Sequence, residues 1–511
     1  MLRRRLIVSR LFGTTVLSAA VLMANAATAD VTATDVWASY TAYYESTGAQ
    51  VIGTPEADGA DTVVSNHALL YRFPFGVATM RVIMPNMRMT DQSDGTVAIG
   101  FPDDFDLRVE VDVPNEGAGS ITLSIKQDNF QGMASGTPGD VTFAQSADGV
   151  SLALKDIDIP EEDIDMTVQA LMSGYSATSR VVTGDLIMTS TEMQTGSTDI
   201  AYIVKVPDGG VISNTGRLGA NEAAFQTALP AGGSNVMNLS AVLAGGAYLR
   251  GTSNAGGGTS ETITTSDGVV VSEQFQATGS ASSRFSIDAM GMDLFGEGKD
   301  IDFKVMMPDA FPFPVSGSLS AVSGGYKIPL LPSTDMQDVA LQFNLRDLTF
   351  SDDIWGLFDP SGDLPRDPAS INIDVSGKVI SEIDALNFAT LEAQMEQDLP
   401  PISLERLTVN EVSVSAIGTS ALATGSFTLD NADTTTFDGF PSPEGSAILN
   451  VVGANALIDR LVTLGVIGQD EAGMARLGMG FIASATGDDA FESRVDVNGE
   501  GHVMVNGQRM R

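Results

Sequence analysis

The chain has no cysteine and only two histidines, His67 and His502, among 511 residues. Disulfides, thiolate metal sites and thiol nucleophiles are thereby excluded. Two isolated histidines supply neither a His-rich metal site nor an H-E-x-x-H motif, and both read as ordinary surface or strand positions. Aromatic residues make up 6% of the chain, too few for a platform that stacks bases or sugars. Basic residues are scarce too: 27 Lys and Arg stand against 65 Asp and Glu, a formal charge of -38. Such a surface repels nucleic acid and anionic headgroups, and its plainest reading is a protein kept soluble or salt tolerant. No G-x-S-x-G elbow occurs, since Gly251-Thr-Ser253-Asn-Ala255 fails at its last position. Ser151 and Lys155 are one residue too far apart for Ser-x-x-Lys. The glycines at 256–258 follow no hydrophobic strand and open no helix, so they make no phosphate cradle. No cofactor and no metal is predicted.

What is present begins with an address. Arg3, Arg4, Arg5 and Arg10 precede a short apolar run from Leu11 to Met23, and Ala27-Thr28-Ala29 gives the small-x-small pattern of a signal peptidase site. Ala24-Asn25-Ala26 offers a second cut, and an uncleaved signal anchor is the alternative reading. Cleavage after Ala29 starts the mature chain at Asp30 and places it in the periplasm. The absence of cysteine excludes a lipoprotein anchor at that new terminus. After residue 30 no apolar run approaches the ~20 residues of a membrane helix, so no transmembrane span is expected after cleavage.

A helix is expected next, from Asp35, Val36, Tyr40, Tyr43 and Tyr44 at helical spacing with Gly48 ending it, capping the open end of a sheet. Period-two alternation then dominates. Phe105, Leu107, Val109, Val111 and Val113 interleave with Asp106, Arg108, Glu110 and Asp112, and Ile121, Leu123 and Ile125 return after the turn at 115–119. The same pattern recurs at Val150 to Asp158, Ile200 to Val206, Ile301 to Met307, Val339 to Leu345, Ile371 to Val375 and Val409 to Leu429. Strands with one dry and one wet face belong to antiparallel sheets, since parallel strands buried on both sides read as continuous apolar runs. The expected fold is therefore mainly β, an extended, curved or two-lobed antiparallel sheet with a few capping helices, whose apolar faces close against a sheet, a helix or a ligand.

Three regions interrupt the alternation. Residues 208–262 are rich in Gly, Ala, Ser and Asn, with a possible helix over Leu218 to Phe225 and a flexible loop over Gly251 to Ser260; a lobe boundary is placed there, giving lobes 30–260 and 261–511 behind a 1–29 leader. Ile383, Leu386, Leu391 and Met395 suggest a helix over 382–398, closed by Leu399-Pro400-Pro401. A helix pair with a break near Gly465 to Gly468 is expected over 455–485, its stripe of Leu457, Leu461, Leu464, Met474, Leu477 and Phe481 facing the core. A hairpin from Arg494 to Asn506 closes the chain.

Acids are too plentiful to single out a pair for hydrolysis. Asp156, Asp158, Glu161, Glu162, Asp163 and Asp165 could gather calcium ligands, but their spacing is not that of an EF-hand, and a solvated strand edge explains them. The most specific local feature is Trp355-Gly-Leu-Phe358-Asp359-Pro360-Ser-Gly-Asp363-Leu-Pro365-Arg366-Asp367-Pro368. It reads as a rigid connector: prolines preset the backbone, aspartates close turns, Trp355 and Phe358 plug it into the core, and Asp363 or Asp367 holds Arg366.

That segment, with Tyr326-Lys-Ile-Pro329-Leu-Leu, Leu341-Gln-Phe-Asn-Leu-Arg-Asp-Leu348-Thr and the ending Val497-Asn-Gly-Glu-Gly501-His-Val-Met-Val-Asn506-Gly507-Gln, resembles the exported alphaproteobacterial family called domain of unknown function 2125. The resemblance covers most of the mature chain, is strongest after residue 300, and implies no activity or catalytic residues. The repeated amphipathic strands are also similar in architecture to AsmA-like periplasmic proteins, in which a long antiparallel sheet presents an apolar trough for lipid chains; those proteins keep an N-terminal membrane anchor, whereas this leader reads as cleavable. The expectation is a non-enzymatic periplasmic binder of a lipid-like apolar ligand. Two alternatives stay open: an envelope assembly factor that docks another protein through a sheet edge, and a carboxylate-based hydrolase of an envelope polymer.

Overall fold

The computed structural model describes residues 30–73, 76–115, 117–159, 165–206, 209–391, 394 and 402–511. The leader with Ala27 and Ala29, the acids at 161–163, and residues 392–393 and 395–401 of the expected 382–398 helix and its proline stop lie outside the described residues.

Helix α1 (Ala33–Ser46) is the expected opening helix. A capping box starts it: the Asp35 amide donates to Thr32 Oγ1 (3.4 Å) and the Thr32 amide donates to Asp35 Oδ2 (2.9 Å). The strands that follow are β1 (Ala49–Asp58), β2 (Asp61–Arg72), β3 (Thr79–Ile83), β4 (Met87–Asp91), β5 (Val97–Gly100), β6 (Asp104–Val113) and β7 (Gly117–Asp128). After them come β8 (Gln131–Thr137), β9 (Asp140–Asp158), β10 (Asp165–Val182), β11 (Leu186–Thr195), β12 (Thr198–Lys205), β13 (Gly210–Leu218) and β14 (Asn221–Pro230). A short helix, α2 (Leu239–Ala244), precedes β15 (Tyr248–Ala255), β16 (Gly258–Ser266), β17 (Val269–Asp288), β18 (Gly291–Met306), β19 (Val315–Ile328) and β20 (Ser333–Phe350). Helix α3 (Asp352–Phe358) leads to β21 (Ala369–Ser381), β22 (Ser403–Ala416), β23 (Thr419–Asp430) and β24 (Ser442–Val452). The chain ends with α4 (Ala454–Thr463), α5 (Gln469–Ile482), β25 (Ser484–Gly487), β26 (Ala490–Val497), β27 (Val503–Val505) and β28 (Gln508–Arg509).

All these strands form one antiparallel sheet. Long strands carry two ladders of short ones. The β2 ends pair separately with β3 and β4, and the ladders β3–β6–β7 and β4–β5–β8 both rejoin on β9. A second fork runs from β10 through β11–β14–β15 and β12–β13–β16 to β17. From β17 onward a single meander of long strands continues to β24 and β26. Two-residue turns such as Asp267–Gly268 (φ 51° and 79°) set the register, because that turn needs positive φ at both positions and matches the strand twist.

Residues 218–225 are not helical: cross-strand pairing of Ala223 with Met193 and Phe225 with Thr191 overrides the helix preference of their alanines. The expected loop at 251–260 is also strand except for Gly256 and Gly257, which join β15 to β16. Gly251 sits between the Phe225 and Phe285 rings, where a Cβ would collide with both, so its glycine is a packing choice and not a sign of mobility. The division expected at residue 260 falls inside β16, and both β15 and β16 pair with β17.

The core is concentrated at the N-terminal end. Val31, Ala33 and Val36 of the α1 region pack on Val64, Met87, Met89, Val97, Ile99, Ala134 and Val141. A second cluster joins Ala147, Tyr175, Ala177, Met193 and Ala223. Val141 and Ala147 have the same parity on β9, so both clusters occupy one face of the sheet. Beyond residue 300 the fully buried apolar residues among those described dwindle to Ile301, Ala321, Val379, Ile383, Ala472 and Val497. The chain exposes 28560 Å², against about 18,000 Å² for a compact monomer of this mass. Much of the sheet is a single layer.

Candidate ligand-binding face

Directly paired residues of an antiparallel sheet project from the same face, so the register traces what each face presents. One row runs Phe225, Gly251, Phe285, Leu294, Tyr326, Leu341, Val375, Val409, Gly425, Ala447, Val495 from β14 to β26. Beside it runs Ala223, Ser253, Ser283, Gly296, Gly324, Phe343, Ile373, Val412, Ala423, Leu449, Ser493. A third runs Asn221, Ala255, Ala281, Gly298, Val322, Leu345, Ile371, Val414, Ala421, Val451, Phe491. None of these positions is charged.

With strands about 4.8 Å apart and rows about 6.8 Å apart, the uncharged band is roughly 48 Å by 20 Å, on the order of 1,000 Å². The largest apolar patch on a typical monomer is about 300–600 Å². Its first strands continue the helix-covered core through Ala223 and Met193. Farther along, the side chains are open to solvent: Leu341 is 54% exposed, Val414 47% and Leu449 41%. Leu294, Tyr326, Phe343, Ile371 and Val412 are exposed as well.

The reverse face is built for water. Gln342, Asp374 and Glu411 stand opposite one another, as do Asn344, Asn372 and Ser413. Asn344 donates to Asn372 (3.2 Å), Asn410 donates to Asp374 (3.0 Å), and Lys378 meets Asp338 at 2.7 Å. The Ser413 hydroxyl donating to Glu411 holds that carboxyl below its ordinary range. A shallow depression farther along contains Arg81, Arg108, Glu110, Asp112 and Asp158. There Glu110 lies 3.1 Å from Arg108 on its own strand and 3.8 Å from Arg81 on the neighbouring one.

At the strand ends next to the third row lie α3, its connector, α4 and α5. The connector is the rigid element expected, with different anchors. Arg366 pairs with Asp352, not with Asp363 or Asp367, and its guanidinium lies 5.8 Å from the centre of the Trp355 ring; the turn of α3 brings Asp352 under it. Phe358 does not plug into the core and is 68% exposed. Asp359 is the buried anchor instead, accepting the amides of Asp363 (2.8 Å) and Leu364 (2.9 Å). Burial opposes its charge, and the amides of Leu364, Asp363 and Gly362 with the Arg366 charge outweigh that and keep its carboxyl below the usual range. Pro360, Asp367 and Pro368 are exposed, and Pro365 packs beside Gly418.

The helix pair falls where expected, but its stripe does not all face a core. Asp489 accepts the amides of Asn455 and Ala456, both at 2.9 Å, and so caps α4. Arg476 binds Asp459 (2.5 Å) and Asn455 (3.3 Å), bracing α5 on α4. Ala472 is buried on that side, while Met474, Leu477 and Phe481 point into solvent.

His67 lies on a strand, as one reading had it, yet is fully buried rather than on the surface. Its Nε2 is 2.9 Å from the Tyr40 hydroxyl, with the Trp37 and Tyr40 rings edge-on to it. Desolvation lowers its pKa to about 4, so the imidazole is neutral where α1 meets the sheet; burial likewise raises the pKa of Tyr40 and Tyr44. His502, in the turn before β27, is 3.4 Å from Glu500. Among the described residues no group of three or more His, Asp or Glu side chains is placed to hold a metal, and no helix is long and apolar enough to cross a membrane.

The rows went unseen in the sequence because each strand shows only its own alternation; the signal that joins them is register. No protein-family model matches the chain, and no curated protein is similar to it in sequence.

Proposed function

We propose that this is an exported, non-enzymatic carrier that binds lipid acyl chains along the uncharged face of its sheet. The observation that carries this reading is the band of three uncharged rows across eleven strands, whose later strands the described residues leave open. About ten methylenes laid on such a surface contribute roughly 8 kcal/mol before the cost of association is subtracted. The leader supports a periplasmic location, and the architectural similarity to AsmA-like troughs supports a lipid ligand. The resemblance to domain of unknown function 2125 is in keeping with an envelope location and adds no chemistry. Helix α1 packs on β9, β10 and β11, beside the N-terminal end of the band, which favours a carrier over a conduit open at both ends. The outer strand β1 bears Pro55, Glu56 and Asp58, residues that discourage edge pairing with a partner.

The test is to export the full chain into a bacterial periplasm, purify it without detergent, and analyse a chloroform–methanol extract by mass spectrometry. Stoichiometric glycerolipid is expected from the native chain and its loss from Leu341→Glu/Val412→Glu. Lipid-free protein, or a dimer that buries the band against a second copy, would overturn the reading.

A further inference from the structure

We infer that the rim formed by α3 and α5 docks on a lipid bilayer of net-neutral headgroups, so that the uncharged face opens toward the membrane at that end. This rests on the reading that the face takes lipid.

Helix α5 is reversed relative to an ordinary surface helix. Its inward side carries buried Ala472 and the bracing Arg476, while Met474, Leu477 and Phe481, spaced i, i+3, i+7, are 66%, 63% and 68% exposed. One narrow apolar stripe facing water is the pattern of a helix that lies in a bilayer interface. Phe358 of α3 projects from the same strand end: a Cβ at Gly418, in the β22–β23 turn, would lie 3.1 Å from both Pro365 of the α3 connector and Arg460 of α4. The rim is also continuous with the face. Beyond Val414, Ala421, Val451 and Phe491 the strands end in Ser415-Ala416, Thr419-Ser420, Val452 and Ala490, with no charge between.

Electrostatics select the bilayer. Asp352, Asp353, Asp470 and Glu471 sit in the first turns of α3 and α5, and Arg366 and Arg476 are engaged by Asp352 and Asp459. Anionic headgroups are repelled by such a rim, whereas an uncharged interface accepts its apolar side chains.

The experiment is flotation of the full chain with phosphatidylcholine vesicles and, separately, phosphatidylglycerol vesicles, together with quenching of Trp355 by brominated acyl chains. The expected result is salt-insensitive binding to phosphatidylcholine, weaker binding to phosphatidylglycerol, and quenching that Trp355→Phe removes. Leu477→Asp/Phe481→Asp should weaken phosphatidylcholine binding by about tenfold or more, with unchanged melting because both side chains are already exposed. Failure of the native chain to float, or a double variant that floats equally well, overturns the inference, as does a variant that alters only self-association or capture of another protein. If flotation fails while the purified chain still yields lipid, only the rim falls. A lipid-free extract removes the reading of the face itself.

Discussion

The first and last parts of the sheet follow the same alternation of apolar and polar residues but dispose of their apolar sides differently. Between residues 31 and 193 the chain supplies its own cover: α1 sets Val31, Ala33 and Val36 on Met87, Met89 and Val97, and every one of these is below 5% exposed. Between residues 281 and 497 the equivalent side carries Leu294, Leu341, Phe343, Val412 and Leu449, all exposed, with none of the described residues closing over them. Alternation establishes that a face is dry. It says nothing about what dries it, and here one region uses a helix while the other stays open, the place the proposed ligand would take.

That contrast breaks first on truncation. Met89→Ala empties a closed core and should cost about 2–5 kcal/mol, whereas Leu341→Ala should cost under about 1 kcal/mol, because most of that side chain already meets water. Urea denaturation of the two variants measures the difference, and equal losses would mean that the late strands are covered from within. Acid separates the regions next. His67 takes up its proton near pH 6.5 when unfolded and near 4 when folded, so between those values the unfolded state binds more protons. Stability contributed there is complete above pH 6.5 and falls by up to about 3 kcal/mol as pH approaches 4. His67→Gln should flatten that dependence in denaturation curves at pH 7.5 and 4.5, while Leu341→Ala leaves it intact. The smallest effect belongs to the rim: Asp489→Ala removes the cap of α4 and should cost about 1 kcal/mol, visible as faster amide exchange at Asn455 and Ala456 with no change at Met89.

Much of this fold was legible in the chain. Asp104–Val113, Gly117–Asp128 and the closing hairpin announce themselves by period two and by glycine turns, and α1 by its helical spacing with Gly48. Residues 218–225 misled because small alanines suit helix and strand alike until a neighbour such as Met193 is in register. Gly251 misled because its cause, the rings of Phe225 and Phe285, lies 26 and 34 residues away on other strands. Phe358 and Phe481 read as core residues since an apolar stripe looks the same in sequence whether it meets a sheet or is left exposed. The candidate face was legible only as separate dry faces, because the pairing of Leu341 with Val375 and Tyr326 is a property of register and not of any local motif.

Adjacent positions on β20 permit the sharpest test of the open face. A photo-crosslinking benzophenone side chain placed at Phe343 or Leu341 projects into the uncharged band, and one placed at Asn344 or Gln342 projects from the polar side, one residue away. Irradiation of the exported protein in cells, followed by mass spectrometry of the purified chain, should attach lipid at 341 and 343 and not at 342 and 344. Equal lipid labelling at all four positions, or none at any, would contradict a face that carries lipid.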